Sequence, residues 1–178
     1  ISVAAADPAR LRKLTRQLSI GGLMTALILI LIAAKFIIPT GNLAMLAVAS
    51  LCVAIAVIEI GLKPAMLVYL AAALLSLAWP GLAAAFPFIV VFGPYPLVRA
   101  IIDKLFGRKP AVFLKLLAGN ILVGLTALFF AWQEVITLAG SYTLFWLLAP
   151  IALQAVLLIY DYALGLMIQF YMVRIRRQ

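Results

Sequence analysis

Asp161 is the residue in this chain best placed to do chemistry, because it is a carboxylate set in the middle of a long apolar run. A charge inside hydrocarbon costs roughly 2.5–3.5 kcal/mol on insertion scales, so such a group needs a role or a partner. One expectation makes Asp161 a ligand site, a proton site or an ion-pair partner. The other makes it a protonated or hydrogen-bonded carboxyl packed against Tyr160, Tyr162, Gln154 or Asn120. Glu59, Arg99 and Lys115 lie about one turn inside their own apolar runs and are expected to form, with Asp103, a charged layer at the cytoplasmic side. Glu59 precedes Lys63 by four residues and Arg99 precedes Asp103 by four, the spacing of ion pairs along a helix.

What is missing narrows the chemistry further. The chain has no His, and Cys52 is its single Cys. Metal sites built from His and Cys, Cys–His and Ser–His catalytic pairs and internal disulfides are therefore excluded. An intramembrane enzyme is disfavoured as well, since no Ser–Lys or paired-Asp arrangement falls on facing segments. No catalytic residue, metal or cofactor is expected.

The elements that must position these groups are membrane helices. Hydrophobic residues make up 68% of the 178 positions, against roughly 45–50% in soluble domains, and mean hydropathy is +1.26. A spanning helix needs about 20 mostly apolar residues, since the hydrocarbon layer is about 30 Å thick. Six such runs are predicted, over about 18–38, 43–60, 65–79, 86–102, 111–132 and 143–173. Turn residues separate them, as in Pro39-Thr40-Gly41-Asn42, Gly61-Leu62-Lys63-Pro64 and Trp79-Pro80-Gly81. The first run lacks a small-residue cleavage pattern and is expected to be a retained helix. The expected fold is all-α: a polytopic integral membrane protein, one compact bundle of six transmembrane helices in a single membrane domain.

Charge sets the orientation. Arg10, Arg12, Lys13 and Arg16 precede the first run, and Lys63 falls between the second and third. Lys104, Arg108 and Lys109 fall between the fourth and fifth, and Arg174, Arg176 and Arg177 follow the sixth. Lys35 alone lies on the other side. By the positive-inside rule both termini are expected in the cytoplasm, with the chain in a cell (inner) membrane. Trp79, Trp132, Tyr142 and Trp146 then form an outer aromatic belt. The net charge of +9 belongs to helix ends facing anionic lipid, so no nucleic-acid partner is expected.

Two further patterns bear on function. Phe92-Gly93-Pro94-Tyr95-Pro96 interrupts the fourth run with residues that cannot sustain a regular helix, which is expected either to border a binding cavity, as broken helices at membrane depth often do, or merely to kink the helix. Gly22 and Ala26 place two small residues four apart on the first run, which permits close approach of another helix.

With these features the chain resembles the substrate-binding S component of an energy-coupling factor (ECF) transporter over nearly its full length. The shared traits are the size, six spans, cytoplasmic termini, a basic N-terminal lead and a small-xxx-small first helix. Phe92-Gly93-Pro94-Tyr95-Pro96 and Tyr160-Asp161-Tyr162-Ala163-Leu164 are similar to stretches of bacterial membrane proteins of this general type. The resemblance implies capture of a vitamin-like micronutrient, docking through Gly22 and Ala26 to a membrane coupling subunit, and drive from two ATPase subunits. Position 22 is Gly where the family has Ala. The resemblance also implies an outer ligand pocket, for which Lys35, Thr40, Asn42, Trp79, Trp132, Gln133, Glu134, Tyr142 and Trp146 are the candidates. Aromatic walls with few polar groups suit a flat, partly polar small molecule; Lys35 either pairs with its carboxylate or is a snorkelling anchor at the interface. The alternative is a non-catalytic scaffold or accessory subunit of a larger membrane complex, with structural roles for Asp161 and Arg99.

Overall fold

The computed structural model describes residues 8–35, 42–106, 108–130 and 143–174, and every regular element among them is helical. Helix α1 spans Pro8–Ala34, α2 Asn42–Ile60 and α3 Leu62–Ala78. A broken pass follows: α4 at Leu82–Pro87, a π-helical segment at Phe88–Phe92, and α5 at Pro94–Leu105. Helix α6 spans Arg108–Phe130 and α7 spans Thr143–Arg174. The described residues therefore form six helical passes. Pro8–Ala34, Asn42–Ile60, Ala84–Leu105 and Leu153–Arg174 are long and apolar enough to cross a membrane, and Leu62–Ala78 and Pro110–Thr126 are shorter apolar helices.

Helix ends follow local chemistry. α1 starts at Pro8 rather than near Leu18, because Arg and Lys are good helix formers and the basic lead simply extends the helix. Between α2 and α3 stands Gly61 at φ 90°, a conformation that side chains disfavour. Its carbonyl accepts from the Ala65 N–H at 3.1 Å and so opens the next helix. The break has a consequence for charge: Glu59 and Lys63 do not share a helix, so their expected i,i+4 pair is not made. Arg16 of α1 takes Glu59 instead, at 2.6 Å.

The tightest packing joins α1, α2 and α3. Ile28 and Ile32 of α1, Ala49, Val53 and Ala56 of α2, and Ala65 and Ala72 of α3 are fully buried in one cluster, which Phe88 of the π segment completes. Apolar side chains gain little by leaving lipid for protein, so close approach through small residues must supply the packing energy. Gly21 shows how close: a Cβ there would stand 3.3 Å from Val68. Leu18, Leu67, Leu74, Val156 and Ile159 point outward, as lipid-facing side chains do.

Candidate functional site

The broken pass organises the site. Pro94 and Pro96 have no N–H to donate, so carbonyls in the preceding turn lose their regular partners. The chain responds by widening instead of unwinding: the Gly93 N–H reaches back to the Phe88 carbonyl at 2.7 Å, a π-type bond. That leaves the Ile89 carbonyl, and the Tyr69 hydroxyl of α3 donates to it at 2.7 Å. Gly93 makes this possible, since a Cβ at that position would lie 2.4 Å from the Tyr69 ring. Tyr69 was not among the sequence candidates. Its only signal was an aromatic hydroxyl in an apolar helix, which names no partner.

Below the break, a polar layer crosses the bundle. Asp161 of α7 pairs with Arg99 of α5 at 3.0 Å, and the same guanidinium nitrogen donates to the Asp161 carbonyl at 2.8 Å. The Tyr95 hydroxyl donates to the Asp161 carboxylate at 2.9 Å. Lys115 of α6 pairs with Asp103 at 2.5 Å, while Arg99 lies 3.6 Å from that second carboxylate. Gly165 leaves room for the arrangement, since a Cβ there would stand 2.9 Å from an Arg99 nitrogen. One step away, Ser50 of α2 and Tyr160 of α7 share a 2.5 Å hydrogen bond. The Tyr160 ring meets Phe92 edge-on and Tyr95 at a tilt, with centroids 5.4 Å apart for Phe92–Tyr160 and 5.2 Å for Tyr95–Tyr160.

This layer separates two cavities. On the side toward the Asn42 end of α2 lies an apolar cavity of about 550 Å³, walled by Ala44, Ala47, Val91, Val123 and Leu157 and floored by the rings of Phe92, Tyr95 and Tyr160. On the side toward the Arg174 end of α7 lies a polar cavity of about 610 Å³, bordered by Arg99, Asp103, Lys115, Asp161 and Gln169. A third hollow, an open apolar groove of about 750 Å³ between α1 and α3, is lined by Gly22, Thr25, Ala26, Leu67 and Ala71.

Set against the expectations, the intramembrane polar residues are brought together in two groups. Asn120 and Gln154 pair with each other at 3.0 Å, so neither serves Asp161. The expected charge layer is divided. Arg99, Asp103 and Lys115 join Asp161, whereas Glu59 holds Arg16 and accepts from the Tyr171 hydroxyl at 3.2 Å. Among the outer-side candidates, Lys35 donates to the Ala84 carbonyl at 2.9 Å and ties α1 to α4. Asn42 and Trp79 are exposed, and neither they nor Lys35 borders the apolar cavity. Thr40, Trp132, Gln133, Glu134 and Tyr142 lie outside the described residues, as does the Trp146 side chain. Gly22 and Ala26 face the α1–α3 groove, and a Cβ on Gly22 would meet nothing within 4 Å. Gly21, one residue earlier, is the glycine that packs within the bundle.

Among the described residues no group of three or more His, Cys, Asp and Glu could hold a metal ion. Comparison of the chain with protein families, with known proteins and with solved structures finds no match.

Proposed function

We propose that this chain is the substrate-capturing membrane subunit of an ECF-type micronutrient uptake transporter, lying in a cell inner membrane with both termini cytoplasmic. The observation that carries the reading is the apolar cavity with its aromatic floor, in the half of the bundle away from Arg10, Arg12, Lys13 and Arg16. Its volume falls within the roughly 300–1,000 Å³ of small-molecule sites. The groove holding Gly22 and Ala26 supports the second half of the proposal. It is apolar, made by small side chains, and open to a helix of a coupling subunit.

A scaffold is the second reading, and one observation favours it: Arg99, Asp103, Lys115 and Asp161 are engaged with one another and leave little to orient a polar ligand. Affinity purification of the intact chain separates the two. The transporter subunit is expected to bring down a membrane subunit and two ATPases, and denatured protein is expected to release a defined small molecule for mass spectrometry. A stable assembly without ATPases, and without an extractable small molecule, would favour the scaffold.

A further inference from the structure

The apolar cavity also says what kind of molecule it takes. We infer that it binds an uncharged, lipid-soluble small molecule, admitted sideways from the hydrocarbon layer through the cleft between α2 and α7; the inference rests on the proposed role in substrate capture and narrows its ligand.

Three observations carry this. The polar groups at the lining are already committed. The Tyr95 hydroxyl donates to Asp161, the Tyr160 hydroxyl bonds Ser50, and the Thr126 hydroxyl donates to the Leu122 carbonyl of its own helix at 3.0 Å. These tyrosines line the cavity, and a charged ligand there would lose its hydration with no charged side chain among the lining residues to pair it. The cation that the sequence offered for a ligand carboxylate, Lys35, bonds the Ala84 carbonyl and does not border the cavity. Finally, the mouth is made of lipid-facing residues. Leu43 on α2 is 72% exposed, and Val156 and Ile159 on α7 are 59% and 67% exposed, yet all three line the cavity. Among the described residues, a solute dissolved among acyl chains meets no polar group on that path. The charged groups of the second cavity lie beyond the aromatic floor.

The test uses the full chain in lipid discs and two probes of the same flat shape, neutral 1-aminoanthracene and the anion anthracene-9-carboxylate. The neutral probe is expected to bind saturably, one per chain, with the carboxylate weaker by about tenfold or more. Ala47→Phe and, at an exposed position of the same wall, Ala163→Phe fill the cavity and are expected to abolish binding. Leu43→Trp at the mouth is expected to slow association and dissociation alike, by about threefold or more, with Kd unchanged. Equal or tighter binding of the carboxylate, or neutral-probe binding indifferent to both Phe variants, would overturn the ligand class. Absence of any saturable probe binding, as in a cleft filled by bilayer lipid alone, would overturn it too, and Leu43→Trp with unaltered rates would remove the lateral route. Neutral-probe binding by a chain that never assembles with ATPases would refute the transporter and keep the ligand class. Assembly with ATPases alongside tight carboxylate binding would do the reverse.

Discussion

Between α1, α2 and α3 the buried contacts are mostly alanine, glycine and aliphatic side chains, with Ala49, Ala56, Ala65 and Ala72 wholly buried and the Arg16–Glu59 ion pair at one end. Along α7 they are side-chain hydrogen bonds and ion pairs at successive levels: Gln154 to Asn120, Tyr160 to Ser50, Asp161 to Tyr95 and Arg99, and Tyr171 to Glu59. Small-residue packing is a matter of shape and gives way only when backbones separate. Polar ties are discrete, and in a membrane each contributes modestly, about 0.6 kcal/mol on average. Both cavities beside the polar layer have α7 as one wall. The part of the molecule that borders both of these cavities is thus tied in large part by exchangeable bonds.

The sharpest way to break this contrast is Asp161→Ala. It leaves the Arg99 guanidinium, whose side chain is only 14% exposed, with Asp103 at 3.6 Å as its remaining carboxylate, and is expected to cost up to about 3–5 kcal/mol in unfolding experiments in detergent micelles. Replacing the pair together, as Arg99→Met with Asp161→Leu, is expected to restore most of that loss, since an apolar pair needs no partner. A double variant as unstable as the single would show that the layer does more than balance charge. Next comes Tyr69→Phe, which leaves the Ile89 carbonyl without its donor and is expected to cost about 1–3 kcal/mol by the same measurement.

On the small-residue side, Gly21→Leu and Gly22→Leu form a matched pair. The first drives a side chain into Val68 and is expected to destabilise the bundle by about 1–3 kcal/mol. The second is expected to stay within about 0.5 kcal/mol of the parent while losing co-purification with a coupling subunit. Intact assembly by Gly22→Leu would remove α1 as a docking face. The smallest effect is assigned to Gln154→Leu, near the average of about 0.6 kcal/mol, read from the same unfolding curves.

Much of the helical layout is legible in the residue order, since turn clusters and apolar runs place most helix ends within a few positions. Phe92-Gly93-Pro94-Tyr95-Pro96 marks the break and, with it, the floor of the cavity. What the order of residues hides is which helix faces which. Runs of Ala, Leu, Ile and Val carry no amphipathic face when lipid surrounds them, so nothing local tells Asp161 to meet Arg99 rather than Asn120. For the same reason Glu59 was matched with its sequence neighbour Lys63, although Arg16 was the residue that the fold brought near. Gly21 and Gly22 are indistinguishable as letters, and only the rotation of α1 assigns one to the interior and the other to the groove.

The π-helical segment Phe88–Phe92 has one more effect. Closing a bond to the fifth residue in place of the fourth absorbs one extra position, and one position corresponds to about 100° of rotation about the axis. Everything downstream on that pass is therefore phase-shifted. Tyr95 and Arg99 owe their common bearing toward Asp161 to this single inserted step. A chain shortened by one residue there would keep its hydropathy profile intact and swing both side chains to a different compass point, dissolving the partition between the two chambers.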